Sequence, residues 1–351
     1  MTNREQQPIH CIHNPTPEMI SSSVEGFLNQ LGGPAMITVE GHDRSRTRAI
    51  CTLLHGNEPS GLKAVHRWLS SGGTPAVNIV CFIISVKAAL TEELYKHRIL
   101  PGQRDMNRCF EPPFDDYNGA IAEHMLALID SYQPECMIDI HNTSGRSPAF
   151  GVATHEDPAH EALISLFTSH LIITDLTLGA IMEMSNSVMP VVTVECGGVG
   201  DVRSDELAVD GLARYLYEEH VMRLPHDGIQ IDLYRHPVRL ELHPNSQIEF
   251  ADTAIPDMDL TIRSNLEAHN FGTAPEGTHI GWVGEHCGAR ILRVKSAAGR
   301  DVFSTFFRLE GRKLLTARPL KLFMITGNKS IALSDCLLYA SFEREQTFVH
   351  S

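Results

Sequence analysis

Up to about Arg223, short apolar runs alternate with stretches whose apolar residues recur every three or four positions. Arg48 to Leu54 predicts a strand. Ser60 to Leu69 follows with Leu62, Val65 and Leu69 on one side, the spacing of a half-buried helix. Val77 to Ile84 is a nearly continuous apolar run rich in β-branched residues, which suits a strand covered on both faces. Further strands are predicted at Cys136 to Ile140, Leu171 to Thr174 and Val191 to Glu195. Further helices are predicted at Asn118 to Ile129, Ala159 to Phe167 and Ser204 to Val221, the last with Ser204 as its N-cap. Alternation of this kind signals an α/β layer built on a largely parallel sheet.

The period changes after Leu224-Pro225. From Gly228 onward two-residue alternation dominates, in Gln230 to Leu242, Ile291 to Val294, Val302 to Phe307 and Lys321 to Ile325. The expected organisation is an α/β domain over 1–224 and a smaller β-rich domain over 225–351.

Composition narrows the partners. The formal charge is −14, from 29 Lys plus Arg against 43 Asp plus Glu. That balance argues against nucleic acid and anionic membranes, whose ligands carry basic surfaces. A small anionic substrate stays open, because a few local arginines outweigh distant charge screened by salt. The N-terminus lacks the basic-then-apolar layout of a secretory signal. The longest apolar run, Val77 to Val86, is shorter than the about 20 residues a membrane span needs. Eight scattered cysteines without a Cys-x-x-Cys pair read as reduced thiols of a cytoplasmic protein. A homo-oligomer is compatible with all of this.

The 19 histidines direct attention to chemistry. Three polar clusters stand where predicted strands end, the place where α/β sheets gather ligands. In Leu54-His55-Gly56-Asn57-Glu58, an imidazole and a carboxylate can grip one cation from a tight turn, although a surface pair has the same spacing. In Asp139-Ile140-His141-Asn142-Thr143, His141 again ends an apolar strand, with Asp139 on its face. His55, Glu58 and His141 together make the three-ligand count of a catalytic zinc rather than the closed four of a structural one. In Val194-Glu195-Cys196-Gly197-Gly198, Glu195 either caps a neighbour or performs acid–base work. Between these clusters lie Arg98, Arg104 and Arg108, in a loop containing Pro101 and Gly102. They form either a solvated face or a clamp for a carboxylate.

Taken together, His55-Gly-Asn-Glu58, Arg104-Asp-Met-Asn107-Arg108-x-Phe110, Asp139-Ile-His141-Asn-Thr and Val194-Glu195 resemble the succinylglutamate desuccinylase/aspartoacylase family, a branch of the zinc carboxypeptidase clan. The resemblance covers Cys51 to about Asp201. It implies a zinc-carboxypeptidase-like mixed, largely parallel sheet flanked by helices, with a β-rich C-terminal domain. It also implies one zinc ion per chain on His55, Glu58 and His141, and Glu195 as general base and acid on the metal-activated water. Arg98 would steady the oxyanion, with Arg104 as the alternative for that role. Asn107 and Arg108, with Arg104 and Asn142, would meet a substrate carboxylate, and Asp139 would orient a ligand. The implied activity is hydrolysis of the amide of an N-acyl amino acid or related small carboxylate. A metallocarboxypeptidase for short peptides and a non-hydrolytic zinc or ligand binder are the alternatives. Two departures fall where acyl group and amino acid are recognised: Ile181 to Pro190 holds no arginine, and Glu195-Cys-Gly-Gly replaces Glu-x-Gly-Pro or Glu-x-Gly-Lys.

Outside these motifs, His10 and His13 read as a solvated tail. His236, His243 and His286 read as structural or surface residues, and Trp282 and Tyr339 as part of a β core.

Overall fold

The computed structural model describes residues 8–143, 147–223, 230–334 and 336–342. Two units emerge, residues 1–171 with 177–232, and residues 172–176 with 233–351. The expected boundary at Leu224-Pro225 lies outside the described residues.

In chain order the first unit contains β1 (His10–His13), α1 (Val24–Leu31), β2 (Ala35–Val39), β3 (Asp43–Thr52), α2 (Ser60–Ser71), β4 (Val77–Ile83) and α3 (Val86–Leu90). It continues with α4 (Tyr117–Tyr132), β5 (Met137–Thr143), β6 (Phe150–Ala153), α5 (Pro158–Ser165), the first half of β7 (His170–Ile173), β8 (Val191–Gly198) and α6 (Val202–Tyr217). The sheet runs β1-β2-β4-β3-β5-β8-β6 through this unit. Its centre, β4-β3-β5-β8, is parallel, while β2 against β4 and β6 against β8 are antiparallel. The mixed, largely parallel α/β architecture implied by the sequence is therefore present. β4 is buried from Ile79 to Ile83, as its unbroken apolar run requires. Ile121, Met125 and Ile129 of α4 pack with Ala49, Cys51, Met137 and Val191 on one sheet face, and α2 packs with α6.

Several boundaries differ from the expected ones for local reasons. Residues 10–13, read as a solvated tail, pair in parallel with β2, so their backbone belongs to the sheet although His10 and His13 remain exposed. α6 starts at Val202 because Asp201, not Ser204, caps it by accepting from the Arg203 N–H; Ser204 Oγ donates instead to Gly198 O. The run Gln230 to Leu242 is broken, with strands at Asp232–Arg235 and Val238–Leu242. Between them His236 takes a left-handed φ of 47° and Pro237 has no N–H to give a ladder.

The second unit is built mainly from two five-stranded sheets. Its core includes Leu240, Leu260, Ile280, Val294, Leu314 and Leu322. Val302 to Phe307, expected as strand, begins as a helical turn at Phe303–Phe306. Asp301 sets this turn by accepting from the Phe303 N–H, and strand resumes only at Phe307. Trp282, expected in the core, is half-buried beside Arg263.

Candidate metal centre

The adjacent parallel strands β3, β5 and β8 end at the same edge of the sheet, so the three polar clusters that follow or finish them are neighbours. Register makes this specific, since His141 on β5 stands directly beside Glu195 on β8. Two residues earlier, Cys51, Asp139 and Thr193 form a row across the three strands.

After β3 the chain must turn sharply to aim His55 at this edge. Leu53, fully buried, takes a left-handed φ of 55°. That conformation costs a branched residue about 1–2 kcal/mol. Ser85 secures the turn, its N–H donating to Leu53 O and its hydroxyl to Leu54 O. Gly56 then passes so close to its neighbours that a β-carbon there would stand 2.6 Å from both Ala89 N and His97 O. Gly56→Ala is expected to cost about 1–3 kcal/mol of stability, the scale of overpacking, measured as a lower denaturation midpoint.

His55 and His141 each offer Nδ1 to one carboxylate. His55 Nδ1 lies 3.0 Å from Glu58 Oε1 and His141 Nδ1 lies 2.6 Å from Glu58 Oε2. One donor atom from each of these three buried residues falls within a common 4.8 Å span. The opposite ring nitrogens are held by two further carboxylates, His55 Nε2 by Asp105 Oδ1 at 2.8 Å and His141 Nε2 by Asp139 Oδ2 at 2.6 Å. Carboxylates behind the rings fix both tautomer and ring orientation, the arrangement usual for metal-binding histidines. Among the described residues the buried His55 Nδ1, although 3.0 Å from Glu58 Oε1, makes no hydrogen bond of good geometry, as expected of a nitrogen aimed at another ligand. By donor chemistry, shared convergence and this orphaned nitrogen, the set fits a metal ion.

The local charges favour positive charge at this point. Burial alone would lower the His141 pKa, but the Asp139 and Glu58 carboxylates on its two sides hold it well above the usual value. Burial would raise Glu58, and the two imidazoles instead hold it below the ordinary carboxylate range. Burial would raise Asp105 too, yet His55, Arg98 and Arg108 keep it low. Glu195 behaves differently. Burial pushes its carboxyl up to about 7, with His141 pulling down and Glu58 pushing up. Its Oε2 is buried and accepts no hydrogen bond among the described residues.

The arginine loop divides by function. Arg98 donates from Nε and Nη2 to Asp105 Oδ2 at 3.2 and 3.1 Å, and from Nη1 to Glu58 Oε1 at 2.9 Å, while staying 39% exposed. Asp105 therefore holds both His55 and Arg98; sequence reasoning passed over it, although it sits inside the Arg104-Asp105-Met106-Asn107 motif. Arg104 is turned elsewhere, bonded to Asp116 and, at 2.8 Å, to Pro113 O. Asn107 Oδ1 accepts from the buried Ile181 N–H at 3.0 Å, tying this loop to the segment before β8. Arg108 is exposed, and among the described residues it donates to Asn107 O at 2.7 Å. Asn142 bonds Ser60 and Gly197 rather than facing His141.

Residues 45–220 match the succinylglutamate desuccinylase/aspartoacylase catalytic domain. The chain belongs to that family. Members of the succinylglutamate desuccinylase/aspartoacylase family are hydrolases that remove acyl groups, so this protein is a member of a deacylase family. The fold is shared with a succinylglutamate desuccinylase/aspartoacylase from Rhodobacter sphaeroides, at 14% identity over 83% of each chain with a TM-score of 0.53. It is shared with the product-bound ectoine utilization protein EutE (DoeB) from Ruegeria pomeroyi, at 15% identity over 82% of each chain and a TM-score of 0.53. A succinylglutamate desuccinylase from Vibrio cholerae aligns at 15% identity over 85% of this chain and 99% of its own, with a TM-score of 0.51. At such identities the likeness is one of fold. No curated protein sequence matches this chain. Among the described residues, no helix is long and apolar enough to cross a membrane.

Proposed function

We propose that this family member is a zinc-dependent amidohydrolase that cleaves the amide of an N-acyl amino acid or a related small carboxylate. The observation that carries this reading is the convergence of His55 Nδ1, His141 Nδ1 and the Glu58 carboxylate beside Glu195. His55, Glu58 and His141 would hold one zinc ion. When bound, zinc polarises the scissile carbonyl and lowers the pKa of a water it holds to about 7.

Glu195 takes the proton of the attacking water and returns it to the departing amine. Burial, which raises its pKa, suits this carboxyl to proton transfer in both directions. Arg98, fixed by Asp105 and still partly exposed, donates to the carbonyl oxygen as negative charge develops there. Arg108, an exposed guanidinium whose hydrogen bond goes to a backbone carbonyl, and Asn107, through the amide nitrogen left over from its bond to Ile181, anchor the substrate carboxylate. Arg104 supports the loop from behind through Asp116.

Asp105→Ala is expected to weaken zinc binding about 10–100-fold, the usual cost of losing an orienting partner, as read by competition with a chromogenic chelator. The reading as a whole is tested by amine release from zinc-loaded protein across a panel of N-acyl amino acids and dipeptides. Acyl amino acids should be turned over with at least tenfold higher kcat/KM. Preference for dipeptides would establish a carboxypeptidase, and tight binding without turnover of any compound would establish a sensor.

A further inference from the structure

We infer that Asn142 is a positioning residue that sets Glu195 against the metal-binding turn, acting from the face of β5 opposite His141; this rests on the hydrolase reading above. Successive strand residues face opposite ways. His141 joins Asp139 on one face of β5, and Asn142 is buried on the other at 2% exposure.

The Asn142 carboxamide joins three segments. Its Oδ1 accepts from the Ser60 N–H at 3.0 Å, and its Nδ2 donates to Ser60 Oγ at 2.8 Å and Gly197 O at 3.1 Å. Ser60 opens α2, two residues after Glu58, and Gly197 lies two residues after Glu195. One side chain thus links the turn carrying His55 and Glu58, the strand carrying His141, and the strand carrying Glu195. The anchorage continues outward, because Ser60 Oγ donates to Asp205 Oδ1 at 2.6 Å and Lys63 Nζ meets Asp205 Oδ2 at 2.7 Å.

The β8 end of the link is itself a special conformation. Gly197 has φ of 105°, and a β-carbon there would lie 2.8 Å from Ser204 Oγ. Ser204 Oγ also donates to Gly198 O at 3.1 Å. The end of β8 is therefore held by side-chain bonds where ladder pairing shifts, the register slipping between His141 and Thr143. A general base must sit within about 2.6–3.2 Å of the proton it takes, and a displacement of about 1 Å costs on the order of 100-fold in rate. With alanine at 142, the Ser60 N–H and the Gly197 carbonyl lose their side-chain partner, and nothing else among the described bonds joins Ser60 to the Glu195 strand.

The test compares wild type, Asn142→Ala, Ser60→Ala and Glu195→Gln in the full chain. Asn142→Ala should retain one zinc per chain and a KM within threefold, with kcat lowered about 100-fold. Ser60→Ala, which keeps the N–H bond to Asn142, should lose less than tenfold and serves if Asn142→Ala does not fold. A second measurement needs no turnover: with cobalt in place of zinc, the pH dependence of the visible band should move in Asn142→Ala as it does in Glu195→Gln. A raised KM with unchanged kcat would instead make Asn142 a substrate contact. Wild-type kcat together with a wild-type cobalt titration would make it a purely structural tie; either result overturns the proposal. If wild type hydrolyses no acyl amino acid, the hydrolase reading fails while the cobalt comparison still decides the role of Asn142.

Discussion

Glu195→Gln should lower kcat about 100- to 10,000-fold, the range of general acid–base contributions, while leaving one zinc per chain. Gln keeps the volume and the strand of the native residue but has no lone proton site of carboxylate strength. The loss should fall on kcat more than on KM, since Glu195 is assigned no part in binding the substrate carboxylate. Its geometry supports the separation from metal binding. Glu195 neighbours His141 across the strand register, yet the residues whose donor atoms converge are His55, Glu58 and His141. Steady-state kinetics with metal analysis on the same preparation checks both halves. Unchanged kcat, or loss of zinc together with turnover, would remove Glu195 from the role of base.

The largest expected effect on stability lies in the middle of β3. Arg48 is fully buried and donates from Nε to Glu135 Oε1 at 2.8 Å. Its remaining nitrogens reach Tyr215 O at 2.7 Å, Glu218 O at 2.8 Å and Glu219 O at 2.7 Å, where α6 ends. Helix C-termini leave carbonyls unpaired and carry partial negative charge, so a cation with several donors satisfies both needs. Arg48→Met fills much of the volume but strands the Tyr215 and Glu218 carbonyls, while Arg46 is left to serve both Glu219 O and Glu135. A loss of about 3–5 kcal/mol is expected, or roughly 6–20 °C in Tm for a unit of this size. Thermal and denaturant unfolding measure it. Arg48→Lys should recover little, because one ammonium cannot reproduce the guanidinium fork.

The candidate metal centre was legible because its residues sit at ends of apolar strands, where a turn or a strand terminus exposes polar groups to a ligand. His55, Glu58, His141 and Glu195 all carried that signature. Asp105 did not, since its contact with His55 depends on the approach of a distant loop, fastened where the Gly56 N–H donates to Arg98 O. Asn142 shows a subtler limit. The strand was expected to stop at Ile140, leaving Asn142 free to face a substrate; it runs to Thr143, and period-two alternation then turns Asn142 away from His141. The burial of Arg48 was invisible for a similar reason, because its acceptors are backbone carbonyls of a helix far along the chain. α1 carries readable signals of its own. Ser23 accepts from the Gly26 N–H, Phe27, Leu28 and Leu31 form its buried side, and Gly32 ends it in a left-handed conformation.

The central claim is that His55, Glu58 and His141 hold the zinc on which amide hydrolysis depends. Zinc should be stripped with a chelator and titrated back while amine release from an N-acyl amino acid is followed in the same sample. Turnover should vanish on stripping, return linearly and break at one zinc per chain, and His55→Ala should show no recovery over that range. Turnover that survives complete zinc removal, or a His55→Ala protein that regains full activity at one zinc per chain, would contradict it.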